Sequence, residues 1–435
     1  MSVTGMREER VRALVTGIGV VAPTGVGTDQ HWESVLAGKS GLGRITRFDP
    51  SGYPVQVAGE VPGYDAAQQV PGRLVPQSDR FTHFAITAAG AALADASVDP
   101  SALPEYEMAV VTASSSGGTE FGQHEMERLY QKGPSWVGAY QSIAWFYAAS
   151  TGQLSIRHGM RGPCGVLCCE QAGGLDALGQ AWRLLRSGSR LVLVGGTDAS
   201  LCPYGLVAQM AGGSLATGDD PVRTYLPFTA AARGFVPGEG GALMVVESAQ
   251  SAQQRGVSHY GELLGYAAGF DPRPGSGRPR VLASVIRRAL TDAGLAADQV
   301  DVVFADASGV PDQDVAEAQA IAEVFGPGGV PVTAPKTLTG RLYAGGAALD
   351  TATALLALKH GIVPPTAGPD RPAATCEIDL VLGWPRHIRP RTALVLARGR
   401  GGFTSALVVA RSGNDLDGAS SDPSKSGPSV KGLLA

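Results

Sequence analysis

The chain has 435 residues, 44% of them hydrophobic and 17% charged, with a formal net charge of -4. That length and apolar share suit one or two domains with large cores. The slight acidity speaks against nucleic-acid binding, which needs a basic stripe.

Met1 to Arg12 is polar and lacks the apolar core of a signal peptide, and there is no run of 18 apolar residues to span a membrane, so a cytoplasmic protein is expected. Val11 to Val21 predicts a β-branched strand broken by Gly17 and Gly19, turned by Pro23-Thr24-Gly25 into a helix around Trp32–Leu36. Gly41 to Val70 is irregular and rich in Gly and Pro. A helix is expected over Arg80–Asp95 and a strand over Met108–Thr112. The stretch from Gly162 to Asp176 reads as a strand entering a helix. Val166, Leu167, Cys168 and Cys169 form an apolar run, expected as a strand buried on both faces. Leu175, Leu178, Trp182 and Leu185 then recur at helical spacing up to Ser187-Gly188. Ala172, Gly173 and Gly174 leave the first turn bare, the setting in which enzymes place a nucleophile beside free N–H groups. The residue there is Gln171, whose amide is not a nucleophile.

Further strands are expected at Leu191–Val194, Ala242–Glu247, Ala393–Ala397 and Ala406–Ala410, with a Gly/Ala-rich helix over Gly345–His360. Ala92 to Gly117 and Ala289 to Gly309 repeat one order of helix, strand and Ser-rich turn. The chain therefore divides into two similar halves, 1–250 and 251–411, with Asp271–Pro279 as the crossover between them. Beyond Arg411, residues 412–435 turn to Ser, Gly, Asp, Lys and Pro, the composition of a disordered tail. The five cysteines, Cys164, Cys168, Cys169, Cys202 and Cys376, include no C-x-x-C pair. They read as small buried hydrophobes rather than as disulfides or a metal site.

Five motifs in order resemble those of β-ketoacyl synthases of the thiolase superfamily: Gly162 to Ala177, Gly234 to Gly241, Val300 to Ile321, Pro335 to Asp350, and Gly399 to Val409. More narrowly, Glu170 to Ala177, Leu226-Pro227-Phe228, Val332 to Leu342 and Leu396 to Gly402 are similar to the chain length factor, the ketosynthase-like β subunit of bacterial type II aromatic polyketide synthases. The resemblance implies an α/β thiolase fold of two βαβαβαββ halves stacked as a five-layered αβαβα sandwich. It also implies a heterodimer with an active ketosynthase, in which the strand matched by Cys164–Cys169 pairs with its counterpart across a two-fold axis.

An active member carries Cys-His-His, the cysteine holding the acyl chain and the histidines stabilising thioester and enolate oxygens. At the matching positions this sequence has Gln171, Asp306 and Arg341. An anion at 306 would repel an enolate, and a guanidinium shuttles no proton. The resemblance thus implies a subunit without condensing chemistry of its own and with no cofactor or metal. Its partner would use phosphopantetheine-linked malonyl and acyl chains delivered by an acyl carrier protein. The alternative is a malonyl decarboxylase that primes synthesis through Gln171. A structural homodimer of the same fold is a further rival. Asp306 and Arg341 read either as solvated loop residues or as a buried pair, and the pair is expected. Glu317 and Lys336 are expected as a structural acid–base pair. Cys168 and Cys169 are not expected to act as a shifted nucleophile, and Arg400 replaces a gating phenylalanine. The segment Ser114–Tyr130 matches the one that caps the partner's tunnel. In it Thr119, Gly122 and Met126 share a helical face and would set chain length, their small or flexible side chains implying a long product. Tyr204 reads equally as a tunnel wall or as core packing.

Overall fold

In the computed structural model, which describes residues 11–273 and 275–411, the first expected strand runs over Ala13–Ala22 (β1). The first half continues with α1 (Arg80–Asp95), β2 (Met108–Ala113), α2 (Thr119–Lys132), α3 (Ala149–His158), β3 (Cys164–Leu167), α4 (Gly173–Arg186), β4 (Leu191–Asp198) and β5 (Gly240–Ser248). Its strands lie in the order β1-β5-β4-β2-β3, with β2 parallel to both neighbours and β5 antiparallel to both of its own. The second half repeats this with β6 (Gly261–Phe270), α5 (Leu282–Ala293), β7 (Val302–Phe304), α6 (Pro311–Phe325), β8 (Pro331–Thr333), α7 (Ala344–His360), β9 (Thr392–Arg398) and β10 (Phe403–Ala410). Here the order is β6-β10-β9-β7-β8, with the same directions. A short antiparallel pairing of Ala13–Val15 with Gly261–Leu263 joins the two sheets.

Five layers follow from which faces are apolar. α1 and α3 cover one face of the first sheet, and α5 and α6 cover the outer face of the second. α4 and α7 lie between the sheets and touch both. A helix enclosed on every side must be apolar all round, and α7 is buried without interruption from Ala344 to Leu358. Close approach of strand and helix explains the glycines in β1. A Cβ on Gly17 would meet the backbone of Ala92 and Ala96, and one on Gly265 of β6 would meet Ala289 and Ala293 in the same way.

Two expectations are corrected. Asp271–Pro279 is not the crossover between halves: it follows β6, a strand with no separate signal in its Gly/Ala-rich sequence, and leads into α5. The apolar run at 166–169 is not a doubly buried strand. β3 ends at Leu167 on the edge of the sheet, with Cys164 and Cys168 exposed and Val166 half-buried. The expected tail at 412–435 lies outside the described residues. Among those described, no helix is long and apolar enough to cross a membrane.

Candidate functional site

The elbow between β3 and α4 is a single turn, Glu170–Ala172, in which Glu170 takes φ +51°. That left-handed backbone is costly for a non-glycine residue and persists only where its surroundings enforce it. They do so here: Glu170 Oε2 accepts the Arg400 N–H at 2.8 Å. Gln171 is fully buried and points at the first turn of α7, where Gly346 leaves room for its amide. Neither the amide oxygen nor the nitrogen has a hydrogen-bond partner among the described residues. The position offers no nucleophile.

Asp306 follows β7 and is fully buried. Arg341 Nη2 lies 3.1 Å from Asp306 Oδ1, and Nη1 donates to the Asp306 carbonyl at 3.0 Å. Arg398, at the end of β9, donates its backbone N–H to the same Oδ1 at 2.9 Å and holds its Nε 3.4 Å from Oδ2. Burial by itself would raise the Asp306 carboxyl; Arg341, Arg398 and Lys336 overcome that and hold it down at about 2. The Arg341 guanidinium, also buried, is in turn pushed up by the surrounding anions against its desolvation. This is a closed ionic cluster, and none of the seven histidines lines it or the cavity beside it.

Glu317 and Lys336 do not form the expected pair. Glu317 binds Arg398 at 3.0 Å and accepts the backbone N–H groups of Asp306 and Ala307 at 2.7 and 2.9 Å. Lys336 pairs instead with Asp350 at 2.7 Å. The reason is placement: Asp350 comes down on α7 beside the Lys336 turn, while α6 presents Glu317 to the end of β9. Asp350 closes the Pro335–Asp350 motif with no role assigned to it there, and Arg398 is not singled out by the sequence. Arg398 stands inside the Leu396–Gly402 motif, two residues before Arg400, and its place in that motif is the signal that could have found it. Cys169 is no displaced nucleophile: burial and the neighbouring Asp176 push its thiol up to about 12, and burial raises that of Cys168 as well.

A cavity of about 700 Å³ opens next to the cluster, lined by Ser115, Thr119, Ser200, Gln209, Arg341 and Tyr343 among others. Of the four residues expected at a tunnel or gate, only Thr119 lines it. Gly122 faces the Trp145 ring, which a Cβ added at Gly122 would meet at 3.6 Å; Met126 is half-buried, and Tyr204 is 44% exposed. Gly122 thus lies beside a surface where Trp136, Tyr140, Trp145, Phe146 and Tyr147 are exposed. Arg400 stands at the cavity rim with its guanidinium against Gly212.

Residues 11–252 match the β-ketoacyl synthase N-terminal domain and residues 260–369 its C-terminal domain. The chain is 59% identical over 402 residues to the tetracenomycin polyketide synthase ketoacyl synthase beta subunit of Streptomyces glaucescens, covering 92% of this chain and 98% of that one. It is 55% identical over 399 residues to the actinorhodin polyketide putative beta-ketoacyl synthase 2 of Streptomyces coelicolor, with the same coverage of 92% and 98%. Among solved structures, the ishigamide ketosynthase/chain length factor matches with a TM-score of 0.85 at 26% identity, over 93% of this chain and 100% of that one. With Gln171, Asp306 and Arg341 at the site, this chain belongs to the β-ketoacyl synthase family as a ketosynthase β subunit, or chain length factor, of the type II polyketide synthases.

Proposed function

We propose that this chain is the catalytically silent partner of an active ketosynthase, pairing with it to form the tunnel in which a polyketide grows and controlling chain length. The observation that carries this is the replacement of the whole reacting centre by a buried amide and a closed ion cluster, Gln171 with Asp306, Arg341 and Arg398. Condensation needs a thiolate nucleophile and donors that stabilise an enolate. Asp306 would repel that charge, and Arg341 has its Nη donors turned to Asp306 and Arg398.

The exposed aromatic surface beside α2 and the apolar edge strand β3 support a heterodimer: unpaired edge strands and large apolar patches are covered in a functional assembly. One solved relative of this fold, AntDE:AntF, is a type II polyketide synthase acyl carrier protein in complex with its ketosynthase bound to the hexaketide; it matches with a TM-score of 0.82 at 26% identity. By that likeness the substrates are malonyl and acyl chains on the phosphopantetheine arm of a carrier protein. They are handled at the partner's cysteine, and this chain needs no cofactor of its own. The setting is cytoplasmic. Within the pair, α2 is the gate: Thr119 reaches the cavity, and Gly122 packs on Trp145, one of the exposed aromatics, with Met126 one turn further on.

The test is co-expression with a cognate ketosynthase, followed by size-exclusion chromatography and extension from malonyl-carrier protein. A one-to-one complex making long polyketide, unchanged in length by Gln171→Ala, supports the reading. Carbon dioxide release by this chain alone, lost in Gln171→Ala, would make it a priming decarboxylase instead.

A further inference from the structure

Asp79 belongs to none of the groups described above. Its Oδ1 accepts the Phe81 N–H at 3.1 Å, capping α1, and its Oδ2 accepts the Phe121 N–H at 2.8 Å, in the first turn of α2. One carboxylate thus closes the N-termini of two helices, where free N–H groups and both dipoles favour an anion. It is 3% exposed, and among the described residues it forms no salt bridge, Arg47 being a nearby cation. The charges around it are already committed. Arg80 on α1 holds Glu239 at 2.8 and 2.7 Å, and Arg47 holds Glu120 of α2 at 2.5 and 2.6 Å. The buried Cys202 thiol is a further titratable neighbour, and one turn along α1 lies His83, whose imidazole burial holds down at about 4.

The fit at this point is close. At Gly118, just before α2, an added Cβ would collide with the Ala144 carbonyl and come within 2.9 Å of the Asp79 Cβ. The two helices are held unequally. α1 is anchored in the core through Phe81, Phe84, Ala85, Ala88 and Ala89, all fully buried. α2 buries only Thr119, Gly122 and Glu125. Of the two helices joined at Asp79, α2 is therefore the less firmly anchored.

We propose that Asp79 is a specificity-determining positioning residue, whose carboxylate sets the position of the first turn of α2 and thereby the chain length that the gate admits. This rests on the gate role given to α2 above. Burial lifts the Asp79 carboxyl to about 7, against the opposing pull of the Phe121 and Phe81 N–H groups. Both forms are therefore populated near neutrality. Only the ionised form accepts freely at both oxygens; the protonated form gives up one.

The experiment uses the complex with its ketosynthase and reads the ratio of long to short products at pH 6 and pH 8. Across that range the ionised fraction of a group titrating at about 7 rises from about one tenth to about nine tenths. The wild-type ratio is expected to change severalfold, whereas Asp79→Asn stays at both pH values near the wild-type ratio of pH 6. Turnover and partition will also vary through the partner's own groups, so the comparison of wild type with Asp79→Asn at each pH carries the test. Gly122→Phe serves as the gate control. If it shifts product length while the wild-type ratio is flat and Asp79→Asn matches wild type, the inference is overturned and the gate stands. If Gly122→Phe changes nothing, the gate reading fails, and amide exchange at Phe121 decides the positioning claim. Faster exchange in Asp79→Asn than in wild type at pH 8 upholds it, and equal exchange removes it. Should Asp79→Asn fail to fold, Asp79→Ser, which keeps a capping oxygen without a titrating group, takes its place in the same comparison.

Discussion

The side chain of Gln171 occupies the space in which a Cβ on Gly346 would lie: such an atom would come within 2.8 Å of Oε1 and closer still to Nε2. The elbow of the first half and the first turn of the central helix of the second half are thereby fitted to each other. Gly346→Ala should lower stability by about 1–3 kcal/mol through overpacking. The double variant with Gln171→Ala should recover part of that loss. Denaturant titration of the two single variants and the double variant measures the coupling, and additive losses would show that the two sites do not touch.

Restoring the missing nucleophile should not restore chemistry. Gln171→Cys provides a thiol, but the positions that would stabilise an enolate still hold Asp306 and Arg341, tied to each other at 3.1 Å. Assay of the purified chain for carbon dioxide release and for condensation of malonyl units is expected to stay at background.

The ionic cluster predicts acid sensitivity with a definite sign. The Asp306 carboxyl is held down at about 2, below its ordinary value, so its contribution is complete above about pH 4 and is lost as pH falls toward 2. Asp306→Asn leaves two buried guanidiniums without their shared anion and should cost about 3–5 kcal/mol at neutral pH. Unfolding followed from pH 6 down to pH 2 should show a steeper loss for wild type than for the variant.

The edge strand β3 yields a prediction about assembly. Val166→Lys places a charge on an edge that is only half-buried in the chain by itself, so the fold should tolerate it. Pairing with the ketosynthase should not, because charged edge residues block strand-to-strand association. Size-exclusion chromatography should then give separate subunits, with the circular dichroism of the variant unchanged.

Much of the architecture is legible in the chain. The helix expected over Arg80–Asp95 has the bounds of α1 found in the structure. The degenerate site is legible only through the resemblance, which sets Gln171, Asp306 and Arg341 where an active member carries Cys-His-His. β6 is hidden because its alternation is carried by Gly and Ala, too weak an apolar contrast to register. β3 misleads for a different reason: an apolar run reads the same whether its faces are covered within the chain or await a partner.

The sequence by itself determined which reactive groups are absent and in what order helix, strand and turn repeat, because both are properties of residue type and local spacing. Only the tertiary structure decided who pairs with whom. Lys336 takes Asp350, Glu317 takes Arg398, and Asp79 spans the N-termini of α1 and α2. The physical reason is distance. Ion pairs and caps act over about 3 Å, and the packing of α6 on β9 brings together Glu317 and Arg398, 81 positions apart in the chain. No local pattern carries that information; it comes from the packing of the five layers.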